Sequence, residues 1–430
     1  MPWEGPGCLA EYPLDLPAIA LLAEDVSLGM GPDAARPLHY FRGLRARDVD
    51  VHLVTRDHHR AELEREVPDE TDRVHCVPDP KSALWLARLA LLVPERLRPP
   101  LEDGVVLIRQ RARRRVVSQL VRGNGVRVVH QVTPARPGVP SLIHGLGVPI
   151  VMGPMVERTE LPPGFRSELP ALRRATAWLT RAVRACIHRL LPGRRRADVL
   201  LVSNARSSRA VPAGARGRKL RLGADAVLLD AWKPRGERPA RGAPVFVYTG
   251  PLGPDSGADL LVEAFRLTLD GAPARLRIAG EGPLRGHIER RIEELDLEGH
   301  VTCEGWLDAE ARHTALTQAD AVVYPGLRDS GAELVMQAMC LGNPVVATNW
   351  GAPSEYAVED AALLVGPRTR HQLVAELATA MHRLATQPEL RRELGARAAL
   401  HAHEEFGWRH RVERLLDVYS LLVERTRDAG

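Results

Sequence analysis

The sequence predicts an α/β protein made of two doubly wound domains. Three observations carry that expectation. Short apolar runs alternate with longer helix-period stretches along the chain, the mark of parallel sheets covered by helices. The alternation breaks once, at 231–244, AWKPRGERPARGAP, where Pro, Gly and charge dominate and a linker is expected. The chain has 430 residues, room for about two or three domains with sizeable cores.

The elements follow in order. AIALLAE (18–24) reads as the first strand, then VDVHLVT (49–55), RVHCV (73–77), VRVVHQV (126–132), VPIVMGP (148–154) and ADVLLVSN (197–204). Helical patterns fill the intervals, clearest at 81–92 and 105–122, and a long basic helix is expected over 166–191. Beyond the linker the strands are PVFVYTG (244–250), ARLRIAG (274–280), HVTCEG (300–305), DAVVYPG (320–326), NPVVAT (343–348) and AALLV (361–365), with several helices over 371–426. Two such domains imply a cleft between facing strand ends, where doubly wound sheets bind ligands.

Composition narrows the function classes. The net charge is only +5, aromatic residues are 4%, and the basic clusters contain few of them, so nucleic acid is not an expected partner. Five cysteines are scattered without CxxC spacing, which suits reduced, buried thiols in a cytoplasmic protein. The acidic, Pro-rich start MPWEGPGCLAEYPLDLP does not read as a signal peptide, and no apolar run reaches membrane-spanning length.

The stretch RDSGAELVMQAMCLG (328–342) carries the chemistry. Asp329, Glu333 and Gln337 stand four residues apart, near one helical face. Ser330-x-x-Glu333 is a capping box that would by itself explain those two residues. Gln337 in an otherwise apolar run, and Gly326 and Gly331 around the strand-to-helix turn, ask for more. A helix N-terminus at a strand's carboxyl end is a ready site for anions or hydroxyls.

The run YPGLRDSGAELVMQAMCLGNPVVATNWGAPSEY resembles the donor segment of retaining family-4 glycosyltransferases of the GT-B fold. The likeness runs through Pro325, Ala338-Met339, Gly342, Pro344-Val345-Val346-Ala347 and Gly351. HQVTP (130–134), PSLIHGLGVPIVMGP (140–154), LLVEAF (260–265), LRIAGEGP (276–283) and VTCEGWL (301–307) agree in order, over most of the chain. The resemblance implies two Rossmann-like domains around a cleft: an acceptor-side domain over 1–230, the linker 231–244, a nucleotide-sugar domain over 245–408, and a C-terminal helix, 409–430, returning to the first domain. It implies sugar transfer with retention, from a nucleotide-sugar donor to a glycan, lipid-linked or small-molecule acceptor, with neither cofactor nor metal.

By resemblance, the donor site holds Gly250, Ser256, Gly280, Glu281, Gly305, Trp306, Arg328, Gly331, Glu333 and Gln337, with Asp329 and His130 as catalytic candidates. Gly29, Gly31 and Gly153 fall on the acceptor side. The departures are specific. Asp329 and Gln337 stand where the family has two glutamates. Pro251 and Ser256 stand where it has an Arg and a Lys that clamp the donor diphosphate, a loss of charge where the leaving group becomes negative. Arg328 could replace that charge or pair with Asp329. His130 could serve the donor sugar or be a satisfied strand-end histidine. The departures leave an alternative, a degenerate GT-B protein acting as a binding or partner subunit.

Other motifs point elsewhere. GMGPDA (29–34) fits a dinucleotide fingerprint and gives an NAD-dependent reading, but it lies too far past the first strand for the tight turn required, and a glycine loop or plain turn fits better. Asp48-Val49-Asp50 reads as a solvated turn rather than a metal site. His58-His59 and His401-x-His403 lack partner ligands for zinc. The basic segment 172–196 could lie peripherally on the inner membrane face, or pack as a domain helix with a basic outer surface.

Overall fold

The computed structural model describes residues 16–93, 98–157, 161–168, 186–234, 242–328, 332–351, 353–358 and 360–428. The chain forms two compact units. Among the described residues, the first takes 16–157, 186–224 and 408–428, and the second takes 161–168 and 225–407.

The first unit is built on a parallel sheet in the order β3-β2-β1-β4-β5-β6-β7. Its strands are β1 Ala18–Leu22, β2 Val51–Arg56, β3 Val74–Val77, β4 Val126–Gln131, β5 Ile150–Met155, β6 Val199–Val202 and β7 Arg218–Arg221. β1 is buried throughout, so it reads as a continuous apolar run rather than an alternation. Its side chains nevertheless divide by parity. Ile19 and Leu21 enter the core that contains α1 (Pro32–Arg45), while Ala18, Ala20 and Leu22 enter the opposite core with Val117 and Leu120. Those two residues belong to the helix Arg98–Gly123, which with Lys81–Leu92 makes α3 and α2 respectively. The expected start at 105 is seven residues late; Pro99 and Pro100 lie in the first turn, where Pro is tolerated. β7, RKLR, has no apolar pattern and was not expected; its charge suits an edge strand.

The second unit repeats the plan with order β10-β9-β8-β11-β12-β13, all parallel. The strands are β8 Val245–Thr249, β9 Arg275–Ala279, β10 Val301–Gly305, β11 Ala321–Tyr324, β12 Val345–Thr348 and β13 Ala362–Val365. Its helices are α4 Ala258–Leu269, α5 Arg285–Glu294, α6 Ala309–Gln318, α7 Ala332–Cys340, α8 Arg370–Thr386 and α9 Pro388–Glu405. Leu260, Leu261, Ala264, Phe265 and Thr268 put one stripe of α4 into the core. Side-chain caps start two helices: Asp308 Oδ1 accepts from Ala311 N at 2.8 Å, and Thr369 Oγ1 from Gln372 N at 3.2 Å.

One assignment differs from the sequence expectation. Residues 161–168, drawn in the N-terminal domain, cluster with the second unit: Phe165 is buried in its core, and Gly164 sits where a Cβ would lie 1.5 Å from Arg368 O. The final helix, α10 (Trp408–Asp428), belongs to the first unit. It places Val412, Leu415, Leu416, Tyr419 and Leu422 in the core shared with α1, and Gly43 of α1 leaves room for Val412, whose Cγ2 would be 2.5 Å from a Cβ there.

Candidate functional site

In the second sheet the strand order reverses between β8 and β11, so their carboxyl ends border the crevice where such sheets bind ligands. The chain leaves β8 through Gly250–Gly257, and β11 through Pro325–Arg328. These two turns are locked together. Leu327 N donates to Asp255 O at 2.9 Å. Gly257, at φ +67°, faces Pro325 closely enough that a Cβ would lie 2.3 Å from the Pro325 oxygen. That glycine is also the N-cap of α4, which starts without a side-chain cap of its own, so first-turn N–H groups end in this crevice.

Arg328 is the cation at this point. Its Nε lies 2.8 Å from Asp255 Oδ2, so the described carboxylate it meets is on the opposite turn. Ser256, half-buried, spends its hydroxyl on Ala258 N at 3.3 Å. Tyr248 is buried below the turn and donates its hydroxyl to Pro251 O at 3.0 Å; burial raises its ionisation well above the usual phenol range. Asp255 and Tyr248 were missed in the sequence because an acid in a turn and an aromatic in a strand are both ordinary there.

On α7, Gln337 Nε2 donates to Glu333 Oε1 at 2.7 Å, and Arg312 of α6 stands 3.5 Å from the same oxygen. Gln337 is almost wholly buried, and its Oε1 has no hydrogen-bond partner among the described residues. An unmet buried carbonyl is costly and suits a hydroxyl donor. The amide type follows from its neighbour. A carboxylate at 337 would face the Glu333 carboxylate, whereas an amide can donate to it.

The ends of β9 and β10 carry a third group. Gly280 is required by packing: a Cβ would lie 1.9 Å from Gly250 O. Leu252 N donates to Glu281 O, and Gly250 N to Ala279 O, both at 2.9 Å, so the β8 and β9 turns run as one layer. Gly305 has φ +73°, and a Cβ there would lie 3.1 Å from Glu281 Oε1. Glu281 pairs with Arg285, whose Nε also bonds Glu289 at 2.8 Å; Trp306 beside them is exposed. Thus Gly250, Ser256, Gly280, Glu281, Gly305, Trp306 and Arg328 come together at one end of one sheet.

The first-unit candidates fare differently. His130 has both ring nitrogens engaged inside its own unit. It is fully buried, with Nε2 2.8 Å from Gly153 O and Nδ1 2.6 Å from the Tyr419 hydroxyl. Nε2–H donates to the carbonyl, so Nδ1 accepts from the phenol, and both nitrogens are used. Desolvation pushes its pKa down to about 4, so the ring is neutral near pH 7. It is the satisfied strand-end histidine. Gly153 serves packing, at φ +120° with Leu201 O 2.3 Å from where a Cβ would stand. Gly29 and Gly31 form an exposed turn, and Gly31, at φ +89°, is the N-cap of α1. β1 ends at Leu22, so GMGPDA opens no strand-to-helix turn and the NAD fingerprint fails on geometry.

Asp329 and Gly331 lie outside the described residues, as do Ser330 of the capping box and 172–185 of the basic segment.

Residues 232–401 match the family described as Glycosyl transferases group 1. The second unit belongs to that family. Curated relatives of the glycosyltransferase unit match part of the chain. The chain is 27% identical to the alpha-D-kanosaminyltransferase of Streptomyces kanamyceticus over 157 residues, 36% of this chain and 40% of that protein. It is 27% identical to the GDP-mannose-dependent alpha-(1-6)-phosphatidylinositol dimannoside mannosyltransferase of Mycobacterium tuberculosis over 186 residues, 43% and 45% of the two lengths. The matched stretch thus spans less than half of either relative. In structure, sucrose-phosphate synthase from Thermosynechococcus elongatus aligns over 95% of this chain and 99% of its own with a TM-score of 0.63 at 18% identity. A Rickettsia africae glycosyltransferase aligns over 94% and 98% with a TM-score of 0.61 at 11% identity. Those likenesses show the fold, two Rossmann-like domains of the GT-B type, that the sequence resemblance implies.

Proposed function

We propose that the chain is a glycosyltransferase that moves a sugar with retention from a nucleotide-sugar donor to a glycan, lipid-linked or small-molecule acceptor. The observation that carries this reading is the crevice between β8 and β11 in the group 1 unit. There the α4 N-terminus and Arg328 supply positive potential, and the unmet Gln337 carbonyl supplies a hydroxyl acceptor. In this reading the donor diphosphate lies over the 250–257 turn. Arg328 and backbone N–H groups take up charge as the leaving group forms, without a metal. Gln337 accepts from a ribose hydroxyl, Trp306 covers the base, and Asp329 stands nearest the donor sugar. The described cysteines are unpaired, which favours a cytoplasmic setting.

A thermal-shift panel of UDP-, GDP- and ADP-sugars, followed by donor-turnover assays with the best binder, tests the reading. One donor is expected to raise Tm and be consumed. Absence of both responses for every donor would overturn it; binding without turnover under any acceptor panel would favour the degenerate alternative.

A further inference from the structure

Helix α2 of the first unit, KSALWLARLALL, has no acidic residue and shows its apolar side chains outward. Leu84 is 45% exposed, Trp85 66%, Leu91 71% and Leu92 83%. Only Ala83 and Ala90 of this helix are buried. At about 3.6 residues per turn, exposed Lys81, Leu84, Trp85, Arg88, Leu91 and Leu92 fall within an arc of about 120°, with exposed Ser82 beyond its edge and the two buried alanines opposite. Four large apolar residues therefore point away from the fold while Leu86 and Leu89 are half-buried and the two alanines face inward, an unusual display for a surface helix.

Two cations sit inside this stripe, Lys81 and Arg88, one on either side of Trp85 in sequence. A long cation can lay its stem along apolar matter while its head reaches phosphate, and an indole suits the same depth. The helix has 12 residues. At a rise of about 1.5 Å each it is near 18 Å long, too short to cross a hydrocarbon layer of about 30 Å. Among the described residues, no helix is long and apolar enough to cross a membrane. A second copy of the chain is a poorer occupant, since a twofold contact centred on this stripe would enclose Lys81 and Arg88 of both copies while the helix offers no acidic residue to meet them. We propose that α2 is a monotopic docking surface for an anionic lipid bilayer, lying flat with Leu84, Trp85, Leu91 and Leu92 inserted and Lys81 and Arg88 at the headgroup phosphates.

The test uses the full chain in a flotation assay with vesicles of phosphatidylcholine alone and with one third phosphatidylglycerol. Binding is expected to the anionic vesicles, weaker on neutral ones and weaker at raised salt. The exposed-residue variant Trp85→Ser/Leu92→Ser should bind the anionic vesicles at least about tenfold more weakly, and Lys81→Ser/Arg88→Ser should lose the preference for anionic lipid. These side chains are solvent-facing, so circular dichroism and thermal unfolding are expected to stay unchanged, as is nucleotide-sugar binding, which reports on the other unit. Three results would overturn the proposal: no flotation, flotation unaffected by either double variant, or a wild-type dimer in light scattering that the Trp85→Ser/Leu92→Ser variant abolishes.

Discussion

Arg328 and Asp255 join the turns that follow β11 and β8, with Nε and Oδ2 2.8 Å apart where the sheet order reverses. The pair sets a cation over the crevice between β8 and β11 in a chain whose 250–257 turn has none. If Arg328 meets the diphosphate, Arg328→Gln should weaken binding of the best nucleotide sugar by about 10- to 100-fold, the value of one charge-assisted contact of about 1.5–3 kcal/mol. Asp255→Asn should weaken it less, since the cation remains but loses its tether. Calorimetric titration decides: unchanged affinity in Arg328→Gln would show that backbone groups alone hold the diphosphate.

The complementary gain follows from the same turn. Pro251→Arg with Ser256→Lys should tighten donor binding by more than about tenfold. The Tyr248 bond goes to the backbone oxygen of residue 251 and survives the substitution. Loss of the proline constraint and of the Ser256 bond to Ala258 N will offset part of the gain. A double variant that binds no better than wild type would mean that the crevice is already electrostatically complete.

Glu333 explains why position 337 is an amide. Gln337→Glu should destabilise the second unit by about 1–3 kcal/mol at pH 8, because a buried carboxylate would face Glu333 in place of a donor. A shared proton restores one hydrogen bond, so the variant should recover stability toward pH 5, opposite to the usual carboxylate trend. The pair Glu333→Gln/Gln337→Glu should recover much of the loss at pH 8. Urea unfolding of the single and double variants measures the coupling.

His130 predicts a pH limit for the first unit. Its folded pKa of about 4 lies below the ordinary 6.5, so the unfolded chain takes up the proton first as pH falls. This contribution to stability is complete above about pH 6.5 and is lost progressively as pH falls toward 4. Its ceiling is about 3 kcal/mol. His39, stacked on Trp408 with ring centroids 4.4 Å apart and also held near 4 by burial, adds to the trend. Tyr419→Phe should cost about 1–2 kcal/mol by stranding Nδ1 of His130. Denaturant midpoints at pH 7.5 and 5.0, compared between wild type and a His130→Asn variant, check the sign: the histidine-free variant should depend less on pH.

What could be read in the sequence was whatever repeats along it. The twelve expected strands each correspond to an observed one, with ends shifted by a few residues, because a buried parallel strand is a continuous apolar run. β7 escaped because an edge strand needs no apolar pattern, and the start of α3, where two prolines stand, escaped as well. Within the site, glycines were found readily, but for mixed reasons: Gly280 answers to Gly250 across a strand gap that no spacing rule encodes. Asp255 became visible only when two distant turns were brought together, and the sequence left two readings of His130 open because the Tyr419 hydroxyl that occupies it is 289 positions away.

The placement of α10 has a consequence for how the molecule is made. The second unit draws on residues 161–168 and 225–407, whereas the first cannot fill its α1-side core until 408–428 exist. On the ribosome, therefore, the part that starts first finishes last. Its α1-side core must wait without Val412, Leu415, Leu416, Tyr419 and Leu422 while some two hundred residues of its neighbour emerge and fold. That interval is the natural opening for a chaperone, and a stop codon just before Trp408 would deliver a finished second unit tethered to an unfinished first one.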